Sequence, residues 1–161
     1  MRFNKKKFIY LISPLIIDKS FYHKLREILK QKKVSFFQLR LKKKSFKKKL
    51  QIGRRIKKIC KEFNVKFLIN DDVHLTKRLN ADGCHLGQKD MRISEARKLI
   101  GNKIIGITCH NSIKLAKIAI NDKADYIAFG AFYSSKTKKV KYRAPIRILK
   151  KVRKIIKTPI V

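Results

Sequence analysis

Acidic residues are the scarcest chemistry in this chain: ten Asp and Glu stand against 44 Lys and Arg among 161 residues, a formal net charge of +34. Tryptophan is absent, and six glycines and three prolines are too few for a fibrous or low-complexity chain. The three cysteines, Cys60, Cys84 and Cys109, are odd in number and form no C-x-x-C pair. That excludes a disulfide framework and a zinc ribbon, and points to a reducing compartment, the cytoplasm. Long apolar runs are missing too. The most apolar stretch, 8–17, is ten residues, whereas a membrane-spanning helix requires roughly 20. Lys5, Lys6 and Lys7 ahead of it imitate the start of a signal peptide, but Asp18-Lys19-Ser20 offers no small-residue cleavage site.

What is present is enough apolar material for a core, 44% of residues, in a length suited to one domain, 1–161. The positive charge invites a nucleic-acid reading, since basic surfaces bind phosphate backbones through counterion release. The lysines are spread along the whole chain, however, on the polar faces of apparent helices such as 47–61 and 147–157. A general lysine bias with nonspecific charge binding accounts for that spread.

Short runs rich in Ile, Val and Phe alternate with segments of helical period, the pattern of repeated β-α units around a parallel sheet. Strands are expected near 8–13, 34–40, 65–69, 83–86, 103–108 and 125–130. Helices are expected near 19–32, 45–63, 74–80, 92–100, 111–121 and 144–157, with starts signalled by Ser20, Ser45, Ser94 and Asn111 or Ser112. Six such units followed by 158–161 read as a (β/α)8 TIM barrel that stops at the start of its seventh strand, leaving two open sheet edges.

Chemistry concentrates in three places. In the second strand, Phe37, Leu39 and Leu41 share one parity and Gln38, Arg40 and Lys42 the other, so an amide and two cations converge on one face, a site for an anion. Asn70, Asp71 and Asp72 follow the third strand and Asp90 follows the fourth. Carboxylates on adjacent loops suit a hard cation such as magnesium, while Asp71 or Asp72 could instead cap the helix that follows. The sixth strand opens into a hydroxyl-rich loop, 131–139, whose hydroxyls and amides can hold a phosphate with Lys138 as a point charge.

The segments Q-L-R-L-K (38–42), L-I-N-D-D (68–72), A-D-G-C-H-L-G-Q-K-D (81–90), G-I-T-C-H (106–110) and A-D-Y-I-A-F-G (124–130) occur in an order and spacing that resembles the thiamine phosphate synthase family. The resemblance implies a transferase that joins hydroxymethylpyrimidine diphosphate to thiazole phosphate and releases pyrophosphate. It implies that the segment Gln38, Leu39, Arg40, Leu41 and Lys42 holds the pyrimidine diphosphate, that Asn70 and Thr108 contact the pyrimidine, and that Asp71 and Asp90 hold Mg2+. Ser135, Lys136 and Thr137 fall on the thiazole phosphate loop and Lys138 on the pyrophosphate, with Arg40, Lys42 and Lys138 as the catalytic cations. The family usually carries Glu where Leu41 stands, a Pro-containing segment where 131–135 stands, and Ser in place of Thr108.

His85 and His110 have no carboxylate partner assignable from sequence and read as packed side chains. His110 also keeps a second reading open, an isomerase similar to the thiazole tautomerases. A third is a non-catalytic, basic nucleic-acid-binding remnant. The paired aspartates favour the synthase reading over both.

Overall fold

The computed structural model describes residues 8–134 and 141–161. Strands and helices alternate strictly along them: β1 (Ile9–Ile12), α1 (Lys19–Lys30), β2 (Val34–Leu39), α2 (Phe46–Glu62), β3 (Lys66–Asn70), α3 (Val73–Leu79), β4 (Gly83–Leu86), α4 (Ile93–Ile100), β5 (Ile104–Thr108), α5 (Ile113–Asn121), β6 (Tyr126–Ala128) and α6 (Arg147–Ile155). The strands form one parallel sheet in the order β1-β2-β3-β4-β5-β6. Each strand therefore pairs with its neighbours in sequence, and the sheet advances in one direction as a half-barrel.

The two faces of this sheet differ as the strand parity requires. Outward residues pack on the helices in two clusters. Leu25, Leu29, Phe37, Leu39, Ile56, Phe67 and Ile69 belong to one, and Leu86, Ile105, Ala116, Ile127 and Val152 to the other. The inward face carries a smaller cluster of Phe36, Leu68 and Tyr126, with Tyr10 and Ile104 against it. Each fully buried Leu, Ile or Phe on the outer face contributes about 1.5–3 kcal/mol relative to exposure.

Helix starts depend on side-chain acceptors, and two differ from the sequence expectation. Asp18, not Ser20, caps α1: its Oδ1 accepts from the Phe21 amide at 2.8 Å, and the Ser20 hydroxyl donates to the same oxygen. Ser94 lies inside the first turn of α4, where Glu95 reaches back to the Arg92 amide. Ser45 and Ser112 cap α2 and α5 as expected. The last residues lie along one edge of the sheet. Ile127 donates to Pro159 O at 3.0 Å and accepts from Val161 N at 2.9 Å, so 159–161 runs parallel beside β6.

At the N-terminal ends of the strands two aspartates do the same structural task. Asp82 Oδ2 accepts from Phe67 N at 2.9 Å, and Asp125 Oδ2 accepts from Ile105 N at 2.8 Å. Arg97 adds an ion pair to Asp125 at 2.9 Å. Replacing Asp125 by Ala leaves the amide of fully buried Ile105 without that acceptor, a loss of about 1–3 kcal/mol. Urea unfolding of Asp125→Ala should show a lower midpoint at unchanged slope, with Asp125→Asn in between because its amide oxygen keeps the backbone contact.

Candidate active site

The C-terminal ends of the strands open into a cavity of about 700 Å³, lined in part by Ser13, Gln38, Arg40, Lys42, Asn70, Asp71, His85, Thr108 and His110. A second cavity, of about 640 Å³, adjoins it and shares Lys42, Asn70 and Asp71; Lys43, Lys49, Lys89, Asp72 and Asp90 are among the other residues that line it. Cations thus surround the place where the acidic loops meet.

The β2 strand ends at Leu39, and Arg40 and Lys42 project from the segment that follows it. Ser13 holds that segment in place. Its amide donates to Gln38 O at 2.9 Å and its hydroxyl accepts from Arg40 N at 2.9 Å. Gln38 itself is 3% exposed, at the inner wall beneath the two cations.

Asp72 resolves the choice between capping and site chemistry. It caps α3 by accepting from Leu75 N at 2.9 Å, and its other oxygen pairs with Lys49 Nζ at 3.2 Å. Asp71 is left for the cavity. Its backbone sits in the left-handed region at φ 63, a conformation that carries strain for a residue with a Cβ, and its amide donates to His85 O at 2.8 Å. Asp90, on the loop after β4, accepts from Gly87 N at 2.6 Å.

The Asp71 and Asp90 carboxyls are in hydrogen-bonding contact. Burial, and then the Asp90 carboxyl beside it, push the Asp71 carboxyl up to about 6, against the opposing pull of Lys42 and Arg40. Two carboxyls forced together on adjacent loops fit a hard divalent cation, and magnesium in particular is commonly held by one or two carboxylates with the rest of its shell left to water and phosphate oxygens. No group of three or more His, Cys, Asp or Glu suited to a metal occurs among the described residues.

Beneath the cavity the inward side chains form a continuous set of hydrogen bonds. Gln38 Nε2 donates to Asn70 Oδ1 at 2.5 Å, and Tyr10 Oη donates to Gln38 Oε1 at 3.0 Å. The Tyr10 and Tyr126 hydroxyls lie 2.7 Å apart. His85 reaches Tyr126 Oη through Nδ1 and Thr108 Oγ1 through Nε2, both at 2.8 Å. Burial holds both phenols well above the usual tyrosine range, so both are neutral at physiological pH.

The structure brings Gln38, Arg40, Lys42, Asn70, Asp71 and Thr108 to one cavity, with Asp90 in contact through Asp71. Leu39 is not brought there: its side chain is 2% exposed and packs among the helices. Leu41 packs against the same cluster and lines the second cavity rather than the first. Ser135, Lys136, Thr137 and Lys138 lie outside the described residues. Sequence reading missed Ser13, Tyr10 and Tyr126. The two tyrosines were detectable in principle, since each has the inward parity next to an outward aliphatic, Leu11 or Ile127.

A family model described as thiamine monophosphate synthase matches residues 9–161. The thiamine-phosphate synthase of Pelagibacter ubique (strain HTCC1062) is 64% identical over 164 residues, covering all of this chain and 79% of the relative. That of Nitrosomonas eutropha is 42% identical over 129 residues, 80% of this chain and 61% of the relative. Among solved structures, the thiamine phosphate pyrophosphorylase from Pyrococcus furiosus superposes with a TM-score of 0.81 at 25% identity, covering 95% of this chain and 72% of that one.

The Asp71 contact makes a stability prediction for the metal-free protein. A carboxyl whose folded value is raised binds its proton more tightly folded than unfolded, so its ionisation opposes folding. The penalty is absent below about pH 4 and complete above about pH 6. Asp71→Asn should therefore raise Tm by a few degrees more at pH 7.5 than at about pH 4. Asn also suits a left-handed backbone, which adds a gain that does not vary with pH. A Tm difference equal at both pH values would contradict the raised Asp71 carboxyl.

Proposed function

The chain belongs to the thiamine monophosphate synthase family, a family of transferases, and on that premise we propose that it joins a hydroxymethylpyrimidine diphosphate to a thiazole phosphate to form thiamine phosphate and pyrophosphate. The observation that carries this reading is the contact of Asp71 with Asp90 next to Arg40, Lys42 and Asn70 at the mouth of one cavity. An anion with several charges and a divalent cation are together what that arrangement suits.

The reaction breaks the bond between the pyrimidine methylene carbon and the diphosphate oxygen, with the electron pair leaving on pyrophosphate. It forms a bond from the thiazole ring nitrogen to that carbon. No protein nucleophile is needed. Arg40 and Lys42 bind the diphosphate and oppose the negative charge that grows on it as the bond lengthens, and Lys138 is assigned to the same anion from the sequence. Preorganised charges of this kind are often the largest catalytic contribution. Asp71 and Asp90 would hold Mg2+, which when bound supplies positive charge against the phosphate oxygens. Gln38, Asn70 and Thr108 orient the pyrimidine at the floor of the cavity. Ser135, Lys136 and Thr137 are assigned to the thiazole phosphate, so that both reactants are held in one site.

The same reading treats 1–161 as one domain and the six-stranded sheet as the first part of a (β/α)8 barrel. The parallel pairing of 159–161 with β6 supports it, since that is where a seventh strand would lie. Three buried thiols and no disulfide among the described residues support a reducing, cytoplasmic location. No helix among the described residues is long and apolar enough to cross a membrane.

With both substrates and magnesium supplied, Asp71→Ala should lower product formation at least about 100-fold. Lys42→Ala should raise KM for the pyrimidine diphosphate more than for the thiazole phosphate. Wild-type turnover that persists after chelation of magnesium and is lost in His110→Ala would replace this reading with the metal-free isomerase.

A further inference from the structure

The hydrogen bonds beneath the cavity have a direction that follows from counting protons. Tyr10 gives its only hydroxyl proton to Gln38 Oε1. In its 2.7 Å contact with Tyr126 it can therefore only accept, and Tyr126 is the donor. Having spent its proton, Tyr126 must accept at its contact with His85 Nδ1, so that nitrogen carries a hydrogen. A neutral imidazole has one N–H. His85 Nε2 is then a bare acceptor and takes the proton of the Thr108 hydroxyl. At the far end Gln38 Nε2 donates to Asn70 Oδ1.

We propose that Tyr126, with Tyr10 behind it, is a positioning residue that holds this set as a one-way chain from Thr108 to Asn70 and thereby fixes His85 as the Nδ1–H tautomer. The chain offers opposite groups at its two ends. Thr108 has given its proton inward and presents oxygen lone pairs; Asn70 has used its oxygen and presents its amide N–H groups. Both residues line the cavity. Resting on the function proposed above, this pair matches the edge of an aminopyrimidine, in which an exocyclic N–H donates and a ring nitrogen accepts. An oxo analogue, with a ring N–H and a carbonyl, presents the reverse pattern and meets an acceptor with its acceptor.

The seat of Tyr126 is built for it. Gly106 lies beside it in the β5–β6 ladder, and a Cβ on Gly106 would stand 1.9 Å from Tyr126 Cζ. His85 stacks on the Tyr126 ring at 5.6 Å between centroids. The hydroxyl is therefore delivered to one place between His85 and Tyr10, and Tyr126 is 4% exposed.

The experiment is the ring-nitrogen spectrum of His85 in protein carrying nitrogen-labelled histidine, assigned by the signal lost in His85→Gln. Wild type at pH 7 should show the Nδ1–H tautomer, whereas free histidine favours Nε2–H. Tyr126→Phe keeps the ring in its seat and removes the acceptor, and should move His85 toward the Nε2–H form. In the same variant KM for the pyrimidine diphosphate should rise about tenfold, the worth of roughly one hydrogen bond, with KM for the thiazole phosphate unmoved. A wild-type His85 in the Nε2–H or imidazolium form overturns the chain direction, and a Tyr126→Phe spectrum identical to wild type overturns the role of Tyr126. The tautomer result stands or falls whatever reaction the protein catalyses, so a failure of the functional reading alone would show as the expected spectrum with no turnover of these substrates.

Discussion

The contact between the Asp71 and Asp90 carboxyls is unfavourable by itself, and the loops at this end of the sheet are organised to maintain it. Asp71, in a left-handed conformation, donates its backbone N–H to the His85 carbonyl. Asp90 is tied back to the Gly87 amide of its own loop. Among the described residues neither carboxyl is ion-paired with a lysine, although lysine is the most abundant residue type in this protein. Arg40 and Lys42 stand close enough to pull on Asp71, but not enough to outweigh burial and the second carboxyl. Local repulsion held by its neighbours is what the cation site proposed above would require.

The parity of the parallel sheet is what lets one short chain support both a core and this site. Outward residues of β2 and β3, such as Phe37, Phe67 and Ile69, are buried against helices. Their inward neighbours Gln38 and Asn70 are polar and bonded to each other. A one-residue slip in either strand would exchange the two sets, placing amides in the apolar layer and aromatic rings in the cavity. The aspartates at the opposite end of the sheet guard against such a slip. Asp82 and Asp125 each bind a single backbone amide in the neighbouring strand, and so fix which residue of that strand lies level with them.

How far the sequence was readable follows from this division. The order and type of all the elements, and the convergence of Gln38, Arg40, Lys42, Asn70 and Asp71, could be read because parity and motif order encode them locally. The caps of α1 and α4 were misplaced by two residues because several hydroxyl and carboxyl side chains compete at each helix start, and only the folded backbone decides which one accepts. Leu39 and Leu41 were included with the binding strand through the motif, whereas their parity sends them to the helix side. The tyrosine network could not be found by any local rule. Tyr10 and Tyr126 are 116 positions apart, and only closure of the sheet around a common interior brings their hydroxyls together.

The scarcity of acid in this protein turns its few carboxylates into a map of where geometry demands them. Of the ten, Asp18 and Asp72 cap helices, and Glu95 closes the first turn of α4. Asp82 and Asp125 secure strand register. Glu27 and Glu62 pair with Lys30 and Arg26 on the surface, and Asp122 sits exposed at the end of α5. Asp71 and Asp90 differ: among the described residues they cap no helix, secure no strand register and make no ion pair, Asp90 bracing only its own loop at Gly87, yet they lie against each other at the mouth of the cavity. In a chain so biased toward lysine, the pairing of two carboxylates at that one place is what the site chemistry proposed above would explain.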